Sequence, residues 1–404
     1  GVLPTNGVAF NGTIASTYSV VNDTQITATV PSGASTGPIV VTHPTNGASN
    51  GMTFTVTNPP SITNLNPTSG LVGASVVITG TNFNGTSVTF NGTAATFTVD
   101  SPTQITATIP SGATTGNVVV TTTAGTSNGW AFTVTVAPSW TFAWRKTGLN
   151  GPRNACFDTN NVICIANSGA NNVARFDTNG TQLANITDGS FNGVVSIAVD
   201  SSGNHYVACY NTKKIQRFDS NWTNRVELIS TTYDIRDIAA EYGSSIAILE
   251  SQGGVDGKVE VFNSAGTLIY GPWNIASANT PLSIALSSDG NYVWIADSST
   301  HYVRKYSLAG ALQGSYGGSG SGNGQFSYPD SIHVDSSSKI YIGDSGNFRF
   351  QVFDSNMTFL GKFTGTSGTG NGQFNTIIGI VSDTIGNVYT TDDTGNNIQK
   401  FTKN

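Results

Sequence analysis

Charge is what this sequence has least of. Only 10% of its 404 residues are Asp, Glu, Lys or Arg, and 23 acids against 17 bases leave a net charge of −6. The shortage is uneven: residues 1–136 contain no Lys or Arg, and their only acids are Asp23 and Asp100. A nucleic-acid binder needs a basic stripe to neutralise phosphates, and an electrostatic membrane binder needs a polybasic patch. The chain supplies neither, so nucleic acid is excluded as a partner. No apolar run approaches the roughly 18 residues of a spanning helix and no basic-then-apolar leader opens the sequence, so membrane insertion is not expected. Cysteine is scarce too. Cys156, Cys164 and Cys209 are too few and too clustered for a disulfide framework or a tetrahedral metal site. Counting outward from the turn Asp158-Thr159-Asn160-Asn161 pairs Ala155 with Cys164, which sets the thiols of Cys156 and Cys164 on opposite faces. All three read as small buried core residues.

Thr, Val, Ile, Gly and Asn are abundant while Glu, Lys and Leu are rare, a composition that favours strands and tight turns over helices. The predicted class is all-β. Two kinds of internal repeat organise it. In the first third, Gly7-Val8-Ala9-Phe10-Asn11-Gly12-Thr13 returns as Ser87-Val88-Thr89-Phe90-Asn91-Gly92-Thr93. The segment from Thr24 to Gly33 returns from Thr103 to Gly112, at an offset of 79 to 80 residues. Short period-2 strands between Gly, Pro and Asn turns describe a small antiparallel sandwich in each copy.

The second copy is complete, running from Pro60-Ser61-Ile62-Thr63-Asn64-Leu65-Asn66-Pro67 through Gly73–Phe83 to Val134. Its order of I-x-x-L-x-P, V-x-I-x-G-x-N-F, V-x-F-N-G and F-x-V resembles the IPT/TIG domain, an immunoglobulin-like fold. That resemblance implies a spacer or adhesive role without chemistry. Shifting residues 62–83 back by 80 places them at −18 to 3, so nearly all of the first two strands of module one fall before Gly1. Such a sandwich is expected to expose an apolar groove and unpaired backbone, lined by Val8, Phe10, Ile26, Ala28, Val30, Phe54 and Val56. Either upstream residues fill it or another molecule donates a strand.

After the linker Val136-Ala137-Pro138-Ser139 a second repeat begins. Its anchors are aromatic residues ending a strand, Phe176, Phe218, Phe262, Tyr306, Phe353 and Phe401, at spacings of 42, 44, 44, 47 and 48. Six units of that length predict a six-bladed β-propeller. Units such as Ser196–Asp200, His205–Ala208 and Ile215–Asp219, with Tyr341–Asp344 and Phe350–Asp354 in a sister copy, resemble NHL repeats over about residues 140–404. The last unit stops one strand short at Phe401, and Trp140–Lys146 has no other use, so it is expected to close the ring. The domains are therefore read as 1–58, an incomplete sandwich; 59–136, a complete one; and 137–404, the propeller closed by residues 140–146.

Chemistry is hard to find. Of His43, His205, His301 and His333, only the last three lie in the propeller, and they occupy different repeat positions, which argues against a shared metal. His333 aligns with Ala198 and is expected to point towards the central channel. Asp200, Asp297, Asp335, Asp344 and Asp392 recur by period, as Asx-type turns require. No calcium loop of the Asp-x-Asp-x-Asp-Gly type, serine elbow, phosphate loop or Cys/His nucleophile pattern occurs, so neither catalysis nor a cofactor is expected, calcium being permitted without support. Eight Asn-x-Ser/Thr acceptors for N-glycosylation, at Asn11, Asn22, Asn84, Asn91, Asn179, Asn185, Asn221 and Asn356, are what a chain with 40 Asn and abundant Ser and Thr yields by chance. The favoured expectation is an extracellular or cell-surface structural protein. It would belong to an appendage or fibre whose copies join through the open first module, with itself, other surface proteins or glycans as partners. The alternatives are a secreted propeller lyase or hydrolase acting on polysaccharide, and an adhesin that does not polymerise.

Overall fold

A computed structural model of the chain describes residues 7–85, 87–240, 245–252, 255–275 and 280–404. Among these the only helical elements are two single 3₁₀ turns, Ser168–Ala170 and Ser345–Asn347, and everything else regular is strand. The chain divides into two compact units, Gly1–Val136 and Ala137–Asn404.

In the first unit the repeated Phe-Asn-Gly-Thr segments are hairpin turns. Phe10 faces Thr13 and Phe90 faces Thr93 across two-residue loops. Both loop residues take positive φ, 45° and 86° at Asn11 and Gly12 and 44° and 86° at Asn91 and Gly92. This is the type I′ geometry that matches strand twist, and Asn-Gly tolerates it best. The second module is a full sandwich. One sheet runs Phe97–Ser101, Gln104–Thr108, Ser75–Thr81, Ser61–Asn66; the other is built on Ser87–Phe90, Gly116–Thr122 and Trp130–Thr135, with Ser69–Leu71 parallel to the last. Period-2 side chains from both sheets meet in one core of thirteen buried residues, among them Val76, Ile78, Phe90, Ile105 and Phe132. The first module repeats the Val8–Phe10 and Gly37–His43 sheet and the Tyr18–Asn22 and Gln25–Ala28 pair. Among the described residues its core has only Val8, Phe10 and Ala15 fully buried.

Among the described residues the second unit is built on six four-stranded antiparallel sheets, with one short parallel pair, Thr366–Ser367 with Gln373–Phe374, beside them. Their innermost strands are Pro152–Phe157, Val194–Val199, Asp234–Ala239, Pro281–Leu286, Pro329–Val334 and Gly379–Ser382. Each packs on the next, and the last packs on the first, which closes a β-propeller. The aromatic anchors occupy one register: Ile163, His205, Ile246, Val293, Ile340 and Val388 face Phe176, Phe218, Phe262, Tyr306, Phe353 and Phe401 across the second and third strands. All six anchors are buried between sheets.

The sixth sheet is composite. Its outer strand is Trp140–Thr147, from the start of the unit, paired antiparallel with Asn397–Lys403 at its end. Trp140, 5% exposed, donates its indole N–H to the Gly386 carbonyl at 2.9 Å and stands edge-on to Phe350 with ring centroids 5.3 Å apart. The two ends of the unit are thus joined by backbone pairing and by a large buried side chain. Trp140→Ala removes the ring and strands the Gly386 carbonyl. It is expected to cost about 3–5 kcal/mol, read as a lower thermal midpoint; an unchanged midpoint would mean that this strand does not hold the ring.

Candidate functional site

The tandem repeat lets the first module be measured against its own complete copy. Ile26, Ala28 and Phe54 correspond to Ile105, Ala107 and Phe132, which are 0%, 1% and 2% exposed in a core to which Ser61–Asn66 and Ser75–Thr81 also contribute. In the first module Ile26, Ala28, Phe54 and Val56 are only partly buried, and Val30 is 40% exposed where its counterpart Ile109 is 1%. Val8 and Phe10, at 1% and 3% exposed, are fully buried in the small core of the module and do not line an open groove, contrary to the expectation from sequence. The structure adds two residues to the groove, Val20 and Val41, which with Ile26 and Gln25 line a cavity of about 560 Å³. Backbone follows the same contrast. Gln104–Thr108 is paired on both sides, by Phe97–Ser101 and by Ser75–Thr81. Among the described residues Gln25–Ala28 is paired on one side only, by Tyr18–Asn22. Fully burying a branched or aromatic side chain is worth about 1.5–3 kcal/mol, so leaving Ile26, Val30 and Phe54 half-covered withholds on the order of 3 kcal/mol. That is a large share of the stability of a small domain.

The propeller channel is closed by a polar ring. The innermost strands bring Asn154, Ser196, Asp237, Ser283 and Ser331 to this level, with Gly379 opening the last. Asp237 holds this ring together: it accepts hydrogen bonds from the Asn154 amide, from Ser196 Oγ at 2.6 Å, from Ser283 Oγ at 2.8 Å and from the Ile284 amide at 2.9 Å. Burial pushes its carboxyl above the usual range while these donors pull the other way. One mouth of the channel, at the start of the innermost strands, is a cavity of about 500 Å³ with Arg153, Asn154, Tyr210, Asn211, Arg236 and Asp237 in its wall. The opposite mouth, of about 400 Å³, is acidic, with Asp158, Asp200, Asp335 and Asp383 around His333. His333 shares the position of Ala198 within the repeat, as expected, and burial depresses it to about 4. The other histidines are elsewhere: Nδ1 of His301 accepts the Tyr328 amide, and His43 bonds to Thr45.

Two sequence readings need correction. Cys156 and Cys164 are directly opposite each other, so their side chains share a face. The loop is the reason: the Asp158 amide donates to the Val162 carbonyl at 2.9 Å, and Asn161 takes φ 60°, which makes a three-residue turn with a bulge and moves the register by one. All three cysteines are buried and unbridged. The recurrent aspartates also divide into two groups. Asp200 and Asp335 make Asx turns, each accepting the amides two and four residues ahead. Asp297, Asp344 and Asp392 instead end the second strand of their blades and accept the amides of Thr280, Ser327 and Asn375, pinning the connection that enters the innermost strand. Two of these are also buried ion pairs, Asp297 with Arg304 and Asp344 with Arg349, each at 2.7 Å.

All eight glycosylation acceptors, Asn11, Asn22, Asn84, Asn91, Asn179, Asn185, Asn221 and Asn356, are exposed. At Asn11 the amide nitrogen already donates to Ser35 Oγ and the Thr36 carbonyl, and at Asn91 to Thr114 Oγ and the Thr115 carbonyl. A sugar on either would replace bonds that hold the hairpin turn.

Comparison with known proteins agrees with this architecture. Residues 60–135 match the IPT/TIG domain family. No curated protein matches the chain. Among solved structures, the chain is similar to a protein of unknown function from Bacteroides thetaiotaomicron, with 14% identity and a TM-score of 0.53 over 86% of this chain and 98% of that one. It is also similar to an auxiliary nutrient binding protein from Bacteroides ovatus, with 15% identity and a TM-score of 0.51 over 85% of this chain and 98% of that one. At such identities the likeness is one of fold.

One strand out from Ile235, at the arginine-lined mouth, Glu250 is 1% exposed and one of its carboxylate oxygens has no hydrogen-bond partner. Burial, reinforced by Glu260, raises it from about 4.5 to about 7. An acid that holds its proton more tightly when folded loses stability as pH rises between those two values. Glu250→Gln is therefore expected to leave thermal stability at pH 5 nearly unchanged and to raise it at pH 8 by on the order of 1–2 kcal/mol, after allowance for solvent screening. Equal effects at both pH values would contradict the assignment.

Proposed function

We propose that the protein is a non-catalytic extracellular or cell-surface interaction subunit. Its first sandwich, in which the described residues pair Gln25–Ala28 on one side only, receives a strand from a neighbouring copy, so that subunits join into an appendage or fibre, and its propeller, of NHL type, is the binding head. Three domains carry these roles: residues 1–58 as acceptor, 59–136 as spacer and 137–404 as head. The observation that carries the reading is the contrast between the two modules: Ile105, Ala107, Ile109 and Phe132 are fully buried in one copy, while Ile26, Ala28, Val30 and Phe54 are only partly covered in the other, with Ile26 lining a cavity. The second module also specifies the complement. Val76, Ile78 and Gly80 alternate along a strand that pairs with Gln104–Thr108, so an occupant of the first groove should be an extended segment with aliphatic residues at every second position. The near-absence of charge in residues 1–136 supports close packing between copies, since little like-charge repulsion opposes it.

The arginine-lined mouth supports the second half of the reading. A cavity of about 500 Å³ is within the range of small-molecule sites. Arg153 and Arg236 face it, and Arg236 is steadied by Ser251 Oγ at 2.7 Å. This favours a polar or acidic group, such as a sugar acid or a peptide carboxylate, as the partner of the head.

A synthetic peptide with the sequence of Gly73–Asn82 tests the acceptor. Saturable binding to the full chain is expected, with loss of binding in Ile26→Asp while the folded propeller is unaffected. Absence of binding by a well-folded chain, or binding indifferent to Ile26→Asp, would refute the acceptor groove.

A further inference from the structure

Two neighbouring blades of the propeller depart from their sister units in a chemically specific way. In three blades the Asx-turn aspartate carries a tyrosine six residues on, whose hydroxyl donates back to Oδ2: Tyr206 to Asp200 at 2.8 Å, Tyr341 to Asp335 at 3.0 Å and Tyr389 to Asp383 at 3.2 Å. In the first blade the turn is the same, with Asp158 Oδ1 accepting the amides of Asn160 and Val162 at 2.8 and 2.9 Å, but the tyrosine position holds Cys164. The register confirms the equivalence, because Cys156 faces Cys164 as Ala198, His333 and Val381 face Tyr206, Tyr341 and Tyr389. The neighbouring blade departs at the same level. His205 stands where the other blades have Ile163, Ile246, Val293, Ile340 and Val388.

These departures converge. A carboxylate oxygen of Asp158, the sulfur of Cys164 and a ring nitrogen of His205 lie within 4.8 Å of one another, and all three residues are buried. His205 is 1% exposed; its Nδ1 is 3.0 Å from the Asp219 carbonyl, while its Nε2 is buried and has no hydrogen-bond partner. With Nδ1 protonated to donate to that carbonyl, Nε2 is left with a lone pair available to a cation. The Trp222 ring stacks on the imidazole, with centroids 3.9 Å apart. Arg175, the cross-strand neighbour of Cys164, also interacts with the thiol, and its Nε lacks an acceptor.

We propose that Asp158, Cys164 and His205 form a binding site for a single borderline-soft divalent cation of the zinc type, clipping the first blade to the second. One sulfur, one imidazole nitrogen and one carboxylate oxygen suit zinc and not calcium or magnesium, which take oxygen ligands. The Asp219 carbonyl fixes the imidazole as an outer-shell partner. Tetrahedral ligation at 2.0–2.3 Å sets donors roughly 3.3–3.8 Å apart, so small side-chain rotations close the cluster. Binding breaks the Cys164 S–H bond, releases the proton to solvent and forms the metal–sulfur bond without any redox change. The thiolate then also gives the Arg175 guanidinium an acceptor. Asp158 lines the acidic mouth of the channel, which offers the cation a way in and leaves a fourth position for water. Asp158 and Cys164 from one blade and His205 from the next make the site an inter-blade clip.

The probes are zinc and cobalt(II) alone, added to the full chain after chelation. Expected is one zinc per chain by elemental analysis, a raised thermal midpoint with zinc, and a thiolate-to-cobalt charge-transfer band. Cys156→Ser and Cys209→Ser should keep the band. Cys164→Tyr, which introduces the tyrosine of the three blades that carry it, and His205→Ile, which introduces the aliphatic residue of the other five, should fold and lose it together with stoichiometric zinc. A folded chain that takes up no zinc, or zinc and cobalt binding that survive Cys164→Tyr, would overturn the site.

Discussion

Everything in this molecule follows from the cost of an unpaired strand edge. An all-β chain exposes rows of amides and carbonyls wherever a sheet stops, and each row must be paired, covered or left as an invitation to another strand. The propeller resolves this within itself, because Trp140–Thr147 returns to pair with Asn397–Lys403 and the six sheets meet in a cycle. The second sandwich does so with Ser61–Asn66 and Ser75–Thr81. In the first sandwich the described residues leave Gln25–Ala28 with one partner, and the groove beside it half-covered. The proposal that the first module joins copies together is the consequence of that one difference.

Within the propeller, the repeat builds a scaffold and its irregularities build sites. The anchors repeat in register, and so do the Asx turns and the acceptors that pin each inter-blade connection. Where one blade departs, a polar group concentrates: Asp237 draws Asn154, Ser196 and Ser283 into a plug across the channel, and Asp158, Cys164 and His205 gather between two blades. The plug separates an arginine-lined mouth from an acidic one, so the two ends of the propeller present opposite chemistry to solvent.

Much of this was legible in the amino-acid sequence, and the reasons differ by feature. Asn11-Gly12 and Asn91-Gly92 announce their hairpins because few other pairs accept two positive φ angles in succession. The aromatic anchors and the closing strand are visible because a propeller is periodic, and a break in the period is itself informative. Period-2 reading places Ile26, Ala28, Val30, Phe54 and Val56 on the inward face but cannot tell that Val8 and Phe10 are fully covered or that Val20 and Val41 line a cavity beside Ile26, because that depends on how the sheets pack. The register of Cys156 and Cys164 failed by a single residue, on a hydrogen bond between Asp158 and Val162 that no composition reveals. With that slip the cluster disappears from view. The signal was present, in Cys164 and His205 standing where sister units have tyrosine and aliphatic residues, but it becomes readable only when the blades are aligned by their strand pairing.

The uncharged first third now has a structural address. Asp23 is its one acid near the groove, beside Asn22, Thr24 and Gln25, so the acceptor edge is almost neutral and recognition there must rest on backbone pairing and apolar fit. Hydrogen exchange on the dispersed full-length chain measures this most directly, by comparing the amides of Gln25–Ala28 with those of Gln104–Thr108. An open acceptor edge predicts rapid exchange in the first segment, strong protection in the second, and recovery of protection in the first when subunits assemble. Equal and strong protection of both segments in the dispersed chain would contradict it.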